Sequence, residues 1–130
     1  MFEAARARVL ICDDNDLVRG LLVSLLARDG HDVRQSRGVQ DALVQIEREA
    51  PDIILLDLHL RSDSGLDVLK RVRRDPRLQS TPVILLSGDF DGVNDGYADQ
   101  FGADAVLPKP FDTDEVSETV RALLAARPAR

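Results

Sequence analysis

A single cysteine, Cys12, stands among the 130 residues, so no disulfide can form within the chain. It lies in an apolar run, where a thiol serves as a small core residue, and neither histidine, His31 or His59, is placed to act as its base. No apolar stretch approaches the roughly 18 residues needed to span a bilayer. The amino terminus, Met1-Phe2-Glu3-Ala4-Ala5-Arg6, lacks the long apolar segment of a signal peptide. A cytoplasmic location without membrane contact is expected. Positive charge is also short. The 17 Lys and Arg residues against 23 Asp and Glu leave a net charge of -6, the wrong balance for holding nucleic acid directly. Neither an internal repeat nor a low-complexity linker interrupts the chain. The length fits one compact domain over 1-130, with a core from about 8 to 126 and no output domain.

What is present is an ordinary globular composition, 44% hydrophobic and 31% charged. The most informative stretch is Asp52-Ile53-Ile54-Leu55-Leu56-Asp57. Four consecutive aliphatic residues after Pro51 predict a strand buried on both faces, as a parallel sheet requires. Val9 to Cys12, Pro82 to Leu86 and Ala103 to Leu107 read the same way, and His31 to Ser36 reads as a weaker strand near an edge. Between them lie helical patterns. Asn15 to Asp29 carries Leu17, Val18, Leu21, Leu22, Leu25 and Leu26 as one apolar stripe, with Gly30 as C-cap. Val39 to Glu49 turns Val39, Ala42, Leu43 and Ile46 inward. A polar loop from His59 to Gly65 precedes a helix with Leu66, Leu69 and Val72 inward, stopped by Asp75-Pro76. The last helix, Thr113 to Ala126, has Asp112 as N-cap, Glu115 at the capping-box position and Val116, Val120, Leu123 and Leu124 inward. Between Asp89 and Gly102, the residues Gly92, Asn94, Asp95 and Gly96 oppose helix formation. Lys70, Arg71, Arg73, Arg74 and Arg77 are expected to form a solvated helix face. Alternating strands and helices predict a doubly wound, five-stranded, mostly parallel α/β sheet.

In such a sheet the carboxyl ends of the strands share one edge, where ligands bind. Asp13 and Asp14 follow the first strand, Asp57 ends the third, Ser87 the fourth, and Lys109 lies just past the fifth. Singly, each has an ordinary role as turn, cap or solvated residue; jointly they form a site. Two carboxylates 4 Å apart repel by about 4 kcal/mol at an effective dielectric of 20, so the acids require a cation. An all-oxygen set suits Mg2+. Asp57 is then a nucleophile of the aspartyl-phosphate type. Lys109, the Ser87 hydroxyl and the Gly88 amide are donors of the kind that neutralise phosphoryl oxygens.

These residues, in Cys12-Asp13-Asp14, Leu55-Leu56-Asp57, Gly65-Leu66-Asp67, Pro82 to Gly88 and Gly102 to Phe111, resemble the receiver domain of two-component response regulators. The resemblance covers nearly the whole chain. It implies a flavodoxin-like sheet in the order 2-1-3-4-5 and a phosphoryl group passed to Asp57 from a histidine kinase or histidine phosphotransfer protein. It also implies that phosphorylation switches contacts with a downstream protein target, and that the domain is no enzyme apart from catalysing its own phosphorylation and dephosphorylation. Asp13, Asp14, Asp57 and the His59 carbonyl would hold Mg2+, with Asp13 acting mainly through water. Ser87 would move toward the phosphoryl group, and the Lys109-Pro110 bond would be cis.

The chain departs from that pattern in three places. Arg61 stands where the family commonly has proline, Val106 replaces the switch aromatic, and the 89-102 segment is a poor helix where the fourth helix belongs, so ordering of that segment is an expected part of signalling. His59 and Asp89 occupy positions that influence phosphoryl lifetime in the family. Two other readings compete. One is a receiver-like binding module that is never phosphorylated, which Val106 favours and the intact acids and lysine oppose. The other is a phosphatase of haloacid dehalogenase type, which needs a second acid where this chain has His59.

Overall fold

The computed structural model describes residues 6-60, 63-88 and 102-127. Five parallel strands form the main sheet: β1 (Arg8–Cys12), β2 (Asp32–Ser36), β3 (Ile53–Asp57), β6 (Val83–Ser87) and β7 (Ala105–Pro108), in the order β2-β1-β3-β6-β7. Counted within this sheet alone, that is the expected 2-1-3-4-5. Helices α1 (Asp16–Arg28), α2 (Val39–Arg48), α3 (Gly65–Arg74) and α4 (Thr113–Ala126) are the helices among the described residues. The expectations for the 89-102 segment, for Arg61 and for Asp89 fall on residues outside the described set, Gly102 excepted.

Strand alternation explains the continuous apolar runs. Val9, Ile11, Ile53, Leu55, Ile84, Leu86 and Leu107 pack against α1 and α4 on one face. Leu10, Cys12, Ile54, Leu56, Val83 and Leu85 pack against α2 and α3 on the other. All five residues of β3 are buried, so every side chain of the run has a layer to enter. Polar β2 lies at the edge, where only Ser36 of its five residues is fully buried. The helix ends follow local chemistry. Asn15 accepts hydrogen bonds from the Leu17 and Val18 amides at the start of α1, and Asp112 accepts from the Asp114 and Glu115 amides at the start of α4. Gly30, just past α1, has a φ of 97°, a conformation side chains disfavour. The Lys109-Pro110 peptide is cis.

Four sequence expectations are corrected. The stripe of α1 is narrower than six residues: Leu22, Leu25 and Leu26 are buried, whereas Leu17 is 86% exposed and Leu21 49%. Its remaining buried position belongs to a cation, Arg19. In α3 the inward residues are Gly65, Val68, Leu69 and Val72, with Leu66 only partly buried. The polar loop after β3 contains a small antiparallel pair, β4 (His59–Leu60) and β5 (Asp63–Ser64), and Leu60 seals into the α2-α3 face. Finally, Arg73 is not a solvated charge. It donates to the carbonyls of Gly102 (2.8 Å) and Thr81 (2.8 Å) and to Asp104 Oδ2 (2.9 Å), while the same Asp104 oxygen accepts from the Val83 amide. One guanidinium thus ties α3 to the starts of β6 and β7.

Candidate functional site

The strand ends converge as the alternation demands. Asp13 continues the face of Val9 and Ile11, Asp57 that of Ile53 and Leu55, and Lys109 that of Leu107. Lys109 Nζ donates to Asp13 Oδ2 at 2.7 Å and to Asp57 Oδ2 at 3.2 Å, joining residues 96 and 52 positions away in sequence. Asp13, Asp14 and Asp57 each offer an oxygen, and these oxygens lie within 4.8 Å of one another. Asp13 is fully buried and Asp57 nearly so, while Asp14 is half-buried at the mouth. Ser87 is buried at the end of the neighbouring strand, and its carbonyl accepts from the Lys109 amide at 2.7 Å. Gly88 follows at the exposed rim. His59 is exposed and is not one of the clustered acids; its amide donates to Asp57 Oδ1 at 3.1 Å.

Burial raises the Asp57 pKa. The His59 amide and Lys109 work against that rise and the charge of Asp13 adds to it, leaving the carboxyl above its ordinary range. Burial alone would lower the Lys109 pKa. The hydrogen bond and charge of Asp13, followed by the charge and hydrogen bond of Asp57, outweigh it and hold the ammonium above its usual value. Three carboxylates around one ammonium leave the pocket negative, and every donor atom the acids supply is a hard oxygen. This set fits a small divalent cation better than a soft or redox-active metal. Cys12, by contrast, is buried and its thiol pKa is pushed well up by desolvation, so it takes no part in chemistry here.

The profile of the response regulator receiver domain matches residues 9–121. The chain belongs to that family. The RpaA protein of Synechocystis, a DNA-binding dual master transcriptional regulator, is 38% identical over 120 residues, covering 90% of this chain and 48% of RpaA. The PhoP transcriptional regulatory protein of alkaline phosphatase synthesis in Bacillus subtilis is 32% identical over 117 residues, with 90% and 48% covered. This chain therefore spans about half the length of these curated relatives. Among solved structures, the receiver domain of Francisella response regulator 1452 superimposes with a TM-score of 0.82 at 28% identity, over 92% of this chain and 97% of that one. The chemotaxis protein CheY4 of Vibrio cholerae shares the fold, with a TM-score of 0.83 at 24% identity, over 92% and 99%.

Receiver domains are phosphoacceptor signalling modules of two-component systems, not classical enzymes, and they generally use Mg2+ at an acidic pocket. In this receiver domain no helix among the described residues is long and apolar enough to cross a membrane. Two residues at the pocket have roles that the sequence alone does not assign. Gly65 opens α3 against the end of β3, and a Cβ there would lie 2.0 Å from the Asp57 carbonyl oxygen. Arg19 is buried beside Asp13, and it was legible as a cation three and seven residues before Leu22 and Leu26, on the buried side of α1.

Proposed function

We propose that residues 8-126 form a single receiver domain that accepts a phosphoryl group on Asp57 with Mg2+ bound, and thereby switches contact with a downstream protein. The observation carrying this reading is the Lys109 ammonium shared between Asp13 and Asp57 inside a cluster of three acids. Asp13, Asp14, Asp57 and the His59 carbonyl would hold the ion. When bound, Mg2+ supplies positive charge that keeps the acids ionised and offsets charge on the phosphoryl oxygens.

The chain's own residues do the rest. An Asp57 carboxylate oxygen attacks phosphorus, forming an O–P bond as the donor's bond to phosphorus breaks and the leaving group departs with its electron pair. Lys109 supports Asp57 before transfer and contacts a phosphoryl oxygen afterwards. Ser87 and the Gly88 amide serve a further oxygen. The same pocket would release the group to water, so phosphorylation and dephosphorylation are both properties of this domain. The phosphoryl donor is a histidine kinase or a histidine phosphotransfer protein. With a net charge of -6 the domain itself does not hold nucleic acid. Its setting is the cytoplasm.

Incubation with acetyl phosphate and Mg2+ should add one phosphoryl group by intact mass, and Asp57→Asn or chelation should abolish the gain. No gain with the unaltered protein rejects the reading and favours a module that signals without phosphorylation.

A further inference from the structure

We propose that Arg19 is a positioning residue for the cation site, fixing the peptide between Asp13 and Asp14; this rests on the acidic pocket being a Mg2+ site. Arg19 is 6% exposed. A buried guanidinium is retained only where its donors are matched, and three elements match this one. Nη1 donates to the Asp13 carbonyl at 2.8 Å, Nε to Gln35 Oε1 on β2 at 2.8 Å, and Nη2 to Asp16 Oδ1 in the first turn of α1 at 2.5 Å.

The Asp13 carbonyl is part of the peptide bond that leads into Asp14. The peptides on either side are anchored too. The Asp13 amide donates to the Ser36 carbonyl at 3.0 Å, and the Asn15 amide donates to Asp13 Oδ1 at 2.9 Å. Arg19 holds the carbonyl of the peptide between them and so fixes the plane from which the Asp14 side chain departs. The Asp13 carboxylate is buried and held by Lys109, and that of Asp14 is half-buried at the mouth. Arg19 acts through the main chain and lines the outer cleft with Gln35, Ser36, Arg37 and Asp41.

Charge and geometry give opposite signs, which makes the proposal decidable. Removing a cation near an acidic pocket should tighten divalent binding if charge governs. It should weaken binding if Arg19 orients the ligands, by roughly 10- to 100-fold as for other groups that orient metal ligands. The test is calorimetric titration of the whole protein with Mg2+ alone. Arg19→Gln should raise the Kd within that range, Arg19→Lys should fall between, and Ser117→Ala, which removes a bond to Asp29 far from the pocket, should leave the Kd unchanged. If circular dichroism shows Arg19→Gln unfolded, Gln35→Ala decides, because it removes the acceptor that orients the guanidinium; a Kd raised about threefold or more supports the proposal. A Kd unchanged or lowered in the folded variant overturns the role of Arg19 and leaves the pocket assignment standing. No Mg2+ binding by the unaltered protein overturns both.

Discussion

Asp57 carries a tension between its two environments. Inside the fold its ionised form is disfavoured by burial and by Asp13, and it is only partly compensated by the His59 amide and Lys109. Its native pKa therefore lies above that of the unfolded chain. The sign follows from proton linkage: stability associated with this group is full below the ordinary carboxylate value near 3.8 and is lost as pH rises through the elevated native pKa. At neutral pH without divalent metal, Asp57→Asn should consequently raise the urea midpoint, and the gain should vanish as pH approaches 3.8. A variant less stable than the parent at pH 7 would show that the bond to Lys109 outweighs burial. Asp57 is thus costly to keep in place, as expected of a group retained for chemistry and not for the fold.

The elements show how small steric details place that group. Helix α3 begins at Gly65, whose amide donates to the Leu58 carbonyl at 2.8 Å, and whose Cα lies so near the Asp57 carbonyl that no side chain fits. Alanine at a helical position is normally stabilising by about 0.5–1 kcal/mol relative to glycine. Here the sign should reverse, with Gly65→Ala losing about 1–3 kcal/mol by urea denaturation because backbone must move; a gain would mean that the junction yields freely. Helix α1 makes a second case. Its phase is set by Leu22, Leu25 and Leu26 with Arg19, not by all six apolar residues. Leu22→Ala should cost about 2–5 kcal/mol, and Leu17→Ala should change stability by less than about 0.5 kcal/mol. Equal costs in chemical denaturation would restore the wider stripe. Six apolar residues across two adjacent faces cannot all point at one sheet, and a lone arginine among them is easily taken for surface.

At the scale of the whole molecule, the layers and the site were legible for one reason. A parallel sheet needs runs such as Ile53 to Leu56 that are apolar on both faces, and it delivers the residue after each run to a common edge, so strand order and site emerge together. What stayed hidden depends on contacts that no periodic pattern announces. The β4-β5 pair, the bridging of α3, β6 and β7 by Arg73, and the hold of Arg19 on Asp13 each join residues whose types are ordinary in their local windows. The acids are the reverse case, unusual in their local windows and brought together only by the fold. Binding of an ion there would be a property of the entire fold. An ion that binds the native chain and not the unfolded one stabilises by about 2.7 kcal/mol at a hundred times its Kd. The thermal midpoint should therefore climb with Mg2+ concentration, fall back on chelation, and respond weakly or not at all in Asp14→Asn, which removes a carboxylate from the half-buried mouth. Because Mg2+ holds the carboxylates ionised, the advantage of Asp57→Asn at neutral pH should shrink as the ion is added. A midpoint indifferent to Mg2+ in the unaltered protein would show that Lys109 alone neutralises the three acids, and the pocket would then have no need of a metal.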